Sequence, residues 1–157
     1  MTAEPIPSIR MGEMAVASGE GLLRVLLGSC LGLALYDPSR QVAGLAHIVL
    51  PHSRGKTDLP AKFVDTAIPA MVREMERLAG GPLRLQAKMA GGANMFASRV
   101  ANTIGQQNIE TTEQLLKELR IPIVARHVGG EKGRNMRLES RTGRVFVEVV
   151  GAEIIEL

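Results

Sequence analysis

The run Leu31-Gly32-Leu33-Ala34-Leu35 constrains the fold more than any other stretch of this chain. Side chains alternate across a strand, so Leu31, Leu33 and Leu35 project to one side while Cys30, Gly32 and Ala34 project to the other. A face of three leucines reads as core. The opposite face is nearly bare, which leaves the backbone and the Cys30 thiol accessible to an incoming substrate. Cys30 is the single cysteine among 157 residues.

Leu22 to Leu27 reads as a strand before this one, and Val42 to Leu50 as a strand after it, with Asp37-Pro38-Ser39-Arg40 as the turn between. Pro51 to Asp58 is a loop. Phe63, Ala67, Met71, Met75 and Leu78 recur at helical spacing and predict a helix from about Pro60 to Ala79, ended by Gly80-Gly81. Its Met-rich stripe reads as core-facing rather than as a groove for a partner. Leu83 to Met89 then reads as a strand entering the Gly91-Gly92 loop. Gln106 to Leu119 is a second helix, Ile121 to Val128 a strand, and Arg137 to Val150 a hairpin turning at Thr142-Gly143. With no repeat and no linker, these elements predict one mixed α+β domain over residues 1–157.

The first fourteen residues lack the apolar core of a signal peptide, and no apolar run reaches membrane-spanning length. A lone cysteine forms no internal disulfide, so the expected compartment is the cytoplasm. The net charge is +3, but basic residues crowd together late in the chain. Arg120, Arg126, Lys132, Arg134, Arg137, Arg141 and Arg144 are opposed there only by Glu131 and Glu139. A solvated β-hairpin accounts for that stretch. Nucleic acid is not the expected partner, because single-strand binders stack bases on aromatic rings and this chain has only Tyr36, Phe63, Phe96 and Phe146.

Chemistry concentrates in Cys30 and His47. His47 sits in the apolar run Gly44-Leu45-Ala46-His47-Ile48-Val49-Leu50, on the strand that a turn joins to the one after Cys30. A thiol is mostly protonated at neutral pH. A neighbouring imidazole removes the proton and holds the thiolate as an ion pair, and the thiolate then attacks an acyl carbon. Gly28 permits a tight turn before the cysteine, and the backbone N–H groups of Ser29 and Cys30 are candidate oxyanion donors. The competing reading is structural: a buried cysteine as a small hydrophobe, and a histidine as hydrogen-bonded core. Other constellations are weaker. Cys30, His47, His52 and His127 have no standard zinc-ligand spacing. Gly55-Lys56-Thr57 lacks the earlier glycine of a phosphate loop, since Leu50 stands there. His52, Lys56, Asp58, Lys62 and Asp65 read mostly as a solvated polar cluster.

Several segments together are more specific than the Cys/His pair. They are Leu27-Gly28-Ser29-Cys30, Ala46-His47-Ile48-Val49-Leu50-Pro51, Gly55-Lys56-Thr57-Asp58, Lys62-Phe63-Val64-Asp65-Thr66-Ala67, the run from Lys88 to Phe96, and Ile104-Gly105-Gln106-Gln107-Asn108. In these the chain resembles the CheD family of bacterial chemoreceptor glutamine deamidases, from about Leu22 to Val150. The resemblance implies a layered α+β fold of mixed β-sheets with helices packed on the outside, related to the deamidase domain of cytotoxic necrotizing toxins. It implies Cys30 as nucleophile and His47 as general base, with neither cofactor nor metal. The substrate it implies is selected glutamine side chains on the cytoplasmic helices of chemotaxis receptors, with a CheC-like phosphatase as a further partner.

One position departs from the family. Its catalytic threonine lies six residues before the cysteine, where this chain has Arg24. A guanidinium cannot accept a hydrogen bond from an imidazole N–H. A backbone carbonyl or another side chain then has to orient His47, with Arg24 left to favour the thiolate electrostatically. The alternative is a catalytically weak adaptor that binds the phosphatase or the receptor.

Overall fold

Leu31, Leu33 and Leu35 are fully buried, and the strand that carries them lies in the middle of a sheet. The computed structural model describes residues 7–55, 57–95 and 102–157. The first four strands are β1 (Met14–Ser18), β2 (Leu22–Leu27), β3 (Leu31–Asp37) and β4 (Val42–Ile48). They are followed by α1 (Val64–Ala79), β5 (Gln86–Gly91), α2 (Ile104–Glu118) and β6 (Ile123–Val128). The chain closes with β7 (Arg134–Glu139), β8 (Val145–Val149) and β9 (Ile154–Glu156). One sheet has the order β1-β4-β3-β5-β6, in which only β5 and β6 run parallel. The other is antiparallel, in the order β2-β7-β8-β9.

Both helices pack on the leucine side of the five-stranded sheet, where Leu31, Leu33 and Leu35 meet Ile68, Met71, Met75 and Leu116. Burying each such side chain stabilises the fold by about 1.5–3 kcal/mol. The Met-rich stripe of α1 is therefore core, as expected. The four-stranded sheet covers the other side, with Val25, Leu27, Met136 and Leu138 in one cluster with Cys30, Ala34 and Leu45. Helices, sheet and second sheet make the layered α+β architecture.

The face expected to be bare is therefore covered. A methyl group on Gly32 would stand 2.7 Å from Met136 Sδ and 2.8 Å from Leu27 Cδ1. Smallness at Gly32 and Ala34 admits the second sheet, packed at interior density, rather than a substrate. Element boundaries differ in ways that hydrogen bonding explains. Val49 and Leu50 both donate to Lys62 O, and Val64 donates to Leu50 O. That bridge ends β4 at Ile48 and holds Phe63 extended (φ −119°, ψ 142°), so α1 starts at Val64 after a single 3-10 turn, Pro60–Lys62. Strand β5 starts only at Gln86, because the Arg84 N–H is taken by the Asp37 carboxylate at 2.8 Å. The short edge strands β1 and β9 carry no clear pattern of their own in the sequence; their neighbours complete them. Among the described residues no helix is long and apolar enough to cross a membrane.

Residues 28–30 carry the chain from one sheet to the other, and the end of β5 fastens them. Gly92 N–H donates to Cys30 O at 2.9 Å, and Ala93 N–H to Gly28 O at 3.0 Å. This approach needs Gly91, whose φ is +103° and whose added Cβ would lie 2.4 Å from Cys30 O. Strain of that kind costs about 1–3 kcal/mol. Gly91→Ala is expected to lower the unfolding free energy by about 2–3 kcal/mol in urea denaturation. Unchanged stability would show that the crossover is not so tightly held.

Candidate active site

Cys30 ends the crossover loop, one residue before β3, and its relative exposure is 8%. The carbonyls of Gly28 and Cys30 are both engaged by Gly92 and Ala93. The N–H groups of Ser29 and Cys30, by contrast, donate to no acceptor among the described residues. Ser29 is exposed and Gly28 half-buried. The loop thus turns its acceptors inward to a fixed partner and leaves two adjacent donors free.

His47 lies on β4 directly opposite Gly32 of β3. Cys30 and Gly32 are on the same face of β3, so the structure brings Cys30 and His47 to one face and one end of the inter-sheet core. No hydrogen bond joins the thiol to the imidazole. The imidazole is 5% exposed, and its Nδ1 lies 2.8 Å from the carbonyl oxygen of Ile9. A carbonyl only accepts, so Nδ1 carries the proton and Nε2 is the free base.

Burial sets the protonation of both groups. It pushes the Cys30 thiol above its ordinary value, with no charge acting in the other direction. It pushes His47 below its ordinary value, and the bond to Ile9, which works upward, only partly offsets it. Desolvation wins in each case because the charged form loses its water. Burial thus favours the neutral form of each group.

Arg24 does not act on either group. Leu23 and Val25, its neighbours on β2, pack into the inter-sheet core, so Arg24 takes the outer face, opposite Arg137 of β7. Neither Cys30 nor His47 is shifted by its charge. Its backbone, however, is engaged: Arg24 O accepts the Ile9 N–H at 2.8 Å. Ile9 had no signal in the sequence, because what it contributes is main chain.

Of the remaining candidates, Asp65 and His127 have structural partners. Asp65 accepts hydrogen bonds from the Ser53 N–H and hydroxyl, both at 3.0 Å. Lys56 lies outside the described residues. His127 Nδ1 accepts from Arg134 Nη1 at 2.9 Å. Arg134 itself is buried rather than solvated, and its guanidinium ties together the carbonyls of His127, Gly129 and Lys132. It therefore closes the loop between β6 and β7 instead of facing an acidic partner.

Comparison with known proteins places the chain in a family. The family described as CheD chemotactic sensory transduction matches residues 49–149. A protein of Thermotoga maritima named chemoreceptor glutamine deamidase CheD is 40% identical over 144 residues, covering 91% of this chain and 91% of its own. A probable chemoreceptor glutamine deamidase CheD of Caldanaerobacter subterraneus is 42% identical over 149 residues, covering 91% of this chain and 92% of its own. A Clostridium botulinum protein of the same name is 43% identical over 154 residues, covering 93% and 95%. The chain belongs to the CheD family.

Proposed function

We propose that this protein is a glutamine deamidase of chemotaxis, acting on selected glutamine side chains of chemoreceptor cytoplasmic helices. The names of its relatives support the activity and the substrate. The observation that carries the mechanism is the placing of Cys30 and His47 on one sheet face, with Nδ1 of His47 committed to Ile9 and Nε2 left free.

The steps follow from that arrangement. Cys30 Sγ attacks the carboxamide carbon as its proton passes to His47 Nε2, so the neutral resting pair becomes charged only during attack. The oxyanion takes the free N–H groups of Ser29 and Cys30. His47 returns the proton to the departing nitrogen, ammonia leaves, and a thioester remains on Cys30. His47 then removes a proton from water, which attacks the thioester, releasing glutamate and restoring the thiol. A CheC-like phosphatase is the second partner of this reading. The chemistry draws on thiol, imidazole, backbone N–H groups and water.

Incubation with a receptor cytoplasmic fragment, followed by mass spectrometry, is expected to show glutamine converted to glutamate by the wild type. Cys30→Ala and His47→Ala, folded by circular dichroism, are expected to lose at least about a hundredfold in rate. An unchanged rate in Cys30→Ala would contradict the mechanism, whereas no conversion by the wild type would favour the adaptor reading. The pH dependence has a defined sign. Protonating His47 removes the base, and its value is held below the usual imidazole range. The acid limb of kcat/KM is therefore expected below about pH 6.5. A limb above that would mean that another group titrates.

A further inference from the structure

We infer that the backbone carbonyl of Ile9 is the positioning group of the general base, in the role that the family's threonine suggests for the position of Arg24. The inference rests on the reading of His47 as general base. Residues 8–13 run along the seam between the two sheets and bond to both. Ser8 pairs with Arg24 in a parallel bridge. Ile9 N–H donates to Arg24 O at 2.8 Å, and Ile9 O accepts from His47 Nδ1 at 2.8 Å. Gly12 N–H then donates to His47 O at 2.8 Å, and His47 N–H to Glu13 O at 2.9 Å. His47 is thus held at its ring and at both of its backbone polar groups by one short segment.

This grip is what the ring needs. Across the strand from His47 stands Gly32, which has no side chain to brace it. A nearly buried imidazole with an unpaired N–H would bear the cost of an unsatisfied donor, and its two tautomers would compete. The Ile9 carbonyl removes both problems. It satisfies Nδ1–H and fixes the basic lone pair on Nε2. Arg24 participates through its own carbonyl, which anchors Ile9, and that contribution is the same for any side chain. The departure from threonine is in this way accommodated without loss of the third member.

The test separates backbone from side chain. Long-range proton–nitrogen correlation spectra of the full chain with isotope-labelled histidine distinguish the two imidazole tautomers without reference to activity. Wild type and Arg24→Thr both keep the two carbonyls. Each is expected to show His47 protonated on Nδ1, with kcat within about twofold of the wild type. Ile9→Pro removes the N–H that anchors the segment to Arg24. It is expected to lose the single tautomer and to lower kcat about a hundredfold at nearly constant KM. Because the Ile9 bond raises the His47 value, its loss is also expected to move the histidine titration to lower pH. A wild-type His47 protonated on Nε2 would overturn the inference, as would Arg24→Thr raising kcat about tenfold or more. If Ile9→Pro does not fold, the wild-type tautomer and the Arg24→Thr rate still decide it. If receptor glutamines prove not to be substrates, the spectra still report whether Ile9 holds the ring.

Discussion

The bond from Gly92 N–H to Cys30 O is the contact on which the candidate site depends. The chain has to pass from the four-stranded to the five-stranded sheet at residues 28–30, and a crossover of this kind would ordinarily be a loose loop. Here its carbonyls are captured by Gly92 and Ala93. That capture requires the unusual backbone of Gly91. The capturing segment is itself held, since Gly129 N–H donates to Gly91 O at 2.9 Å and Asn94 N–H to Gly130 O at 2.8 Å. The Arg134 guanidinium then closes the loop that contains Gly129. A run of backbone bonds thus fixes the position of Cys30, and its by-product is a pair of N–H groups with no acceptor among the described residues.

Electrostatics in this site is decided by burial rather than by charge. Among the described residues no ionised side chain shifts Cys30 or His47, and desolvation favours the neutral form of each. A permanently ionised thiolate would be costly to bury here without a paired cation. In the proposed mechanism the proton transfer therefore accompanies attack, with charge appearing only when the oxyanion donors can meet it. The same burial protects an unused thiol from adventitious oxidation, which follows thiolate character and exposure.

Much of this was legible in the sequence. The strands around Cys30 and His47, both helices and the late hairpin follow from periodicity and turn residues, and the family segments named the pair. What escaped was information that no local pattern carries. The small face of β3 looked open because its cover, Met136 of β7, lies more than a hundred residues further on. Arg134 looked like a surface charge because its partners are carbonyls. The true start of α1 depends on a bridge between Leu50 and Phe63. Ile9 was invisible because the atom that matters is identical in every residue.

The most direct test of the central claim is to trap the acyl-enzyme. The protein is mixed with a receptor cytoplasmic fragment, quenched in acid within the first turnover and examined by intact mass and peptide mapping. The expected result is a receptor adduct on Cys30 that hydroxylamine releases, formed with loss of ammonia and absent from Cys30→Ala. Deamidation that proceeds with no adduct on Cys30, or with an adduct on another residue, would contradict it.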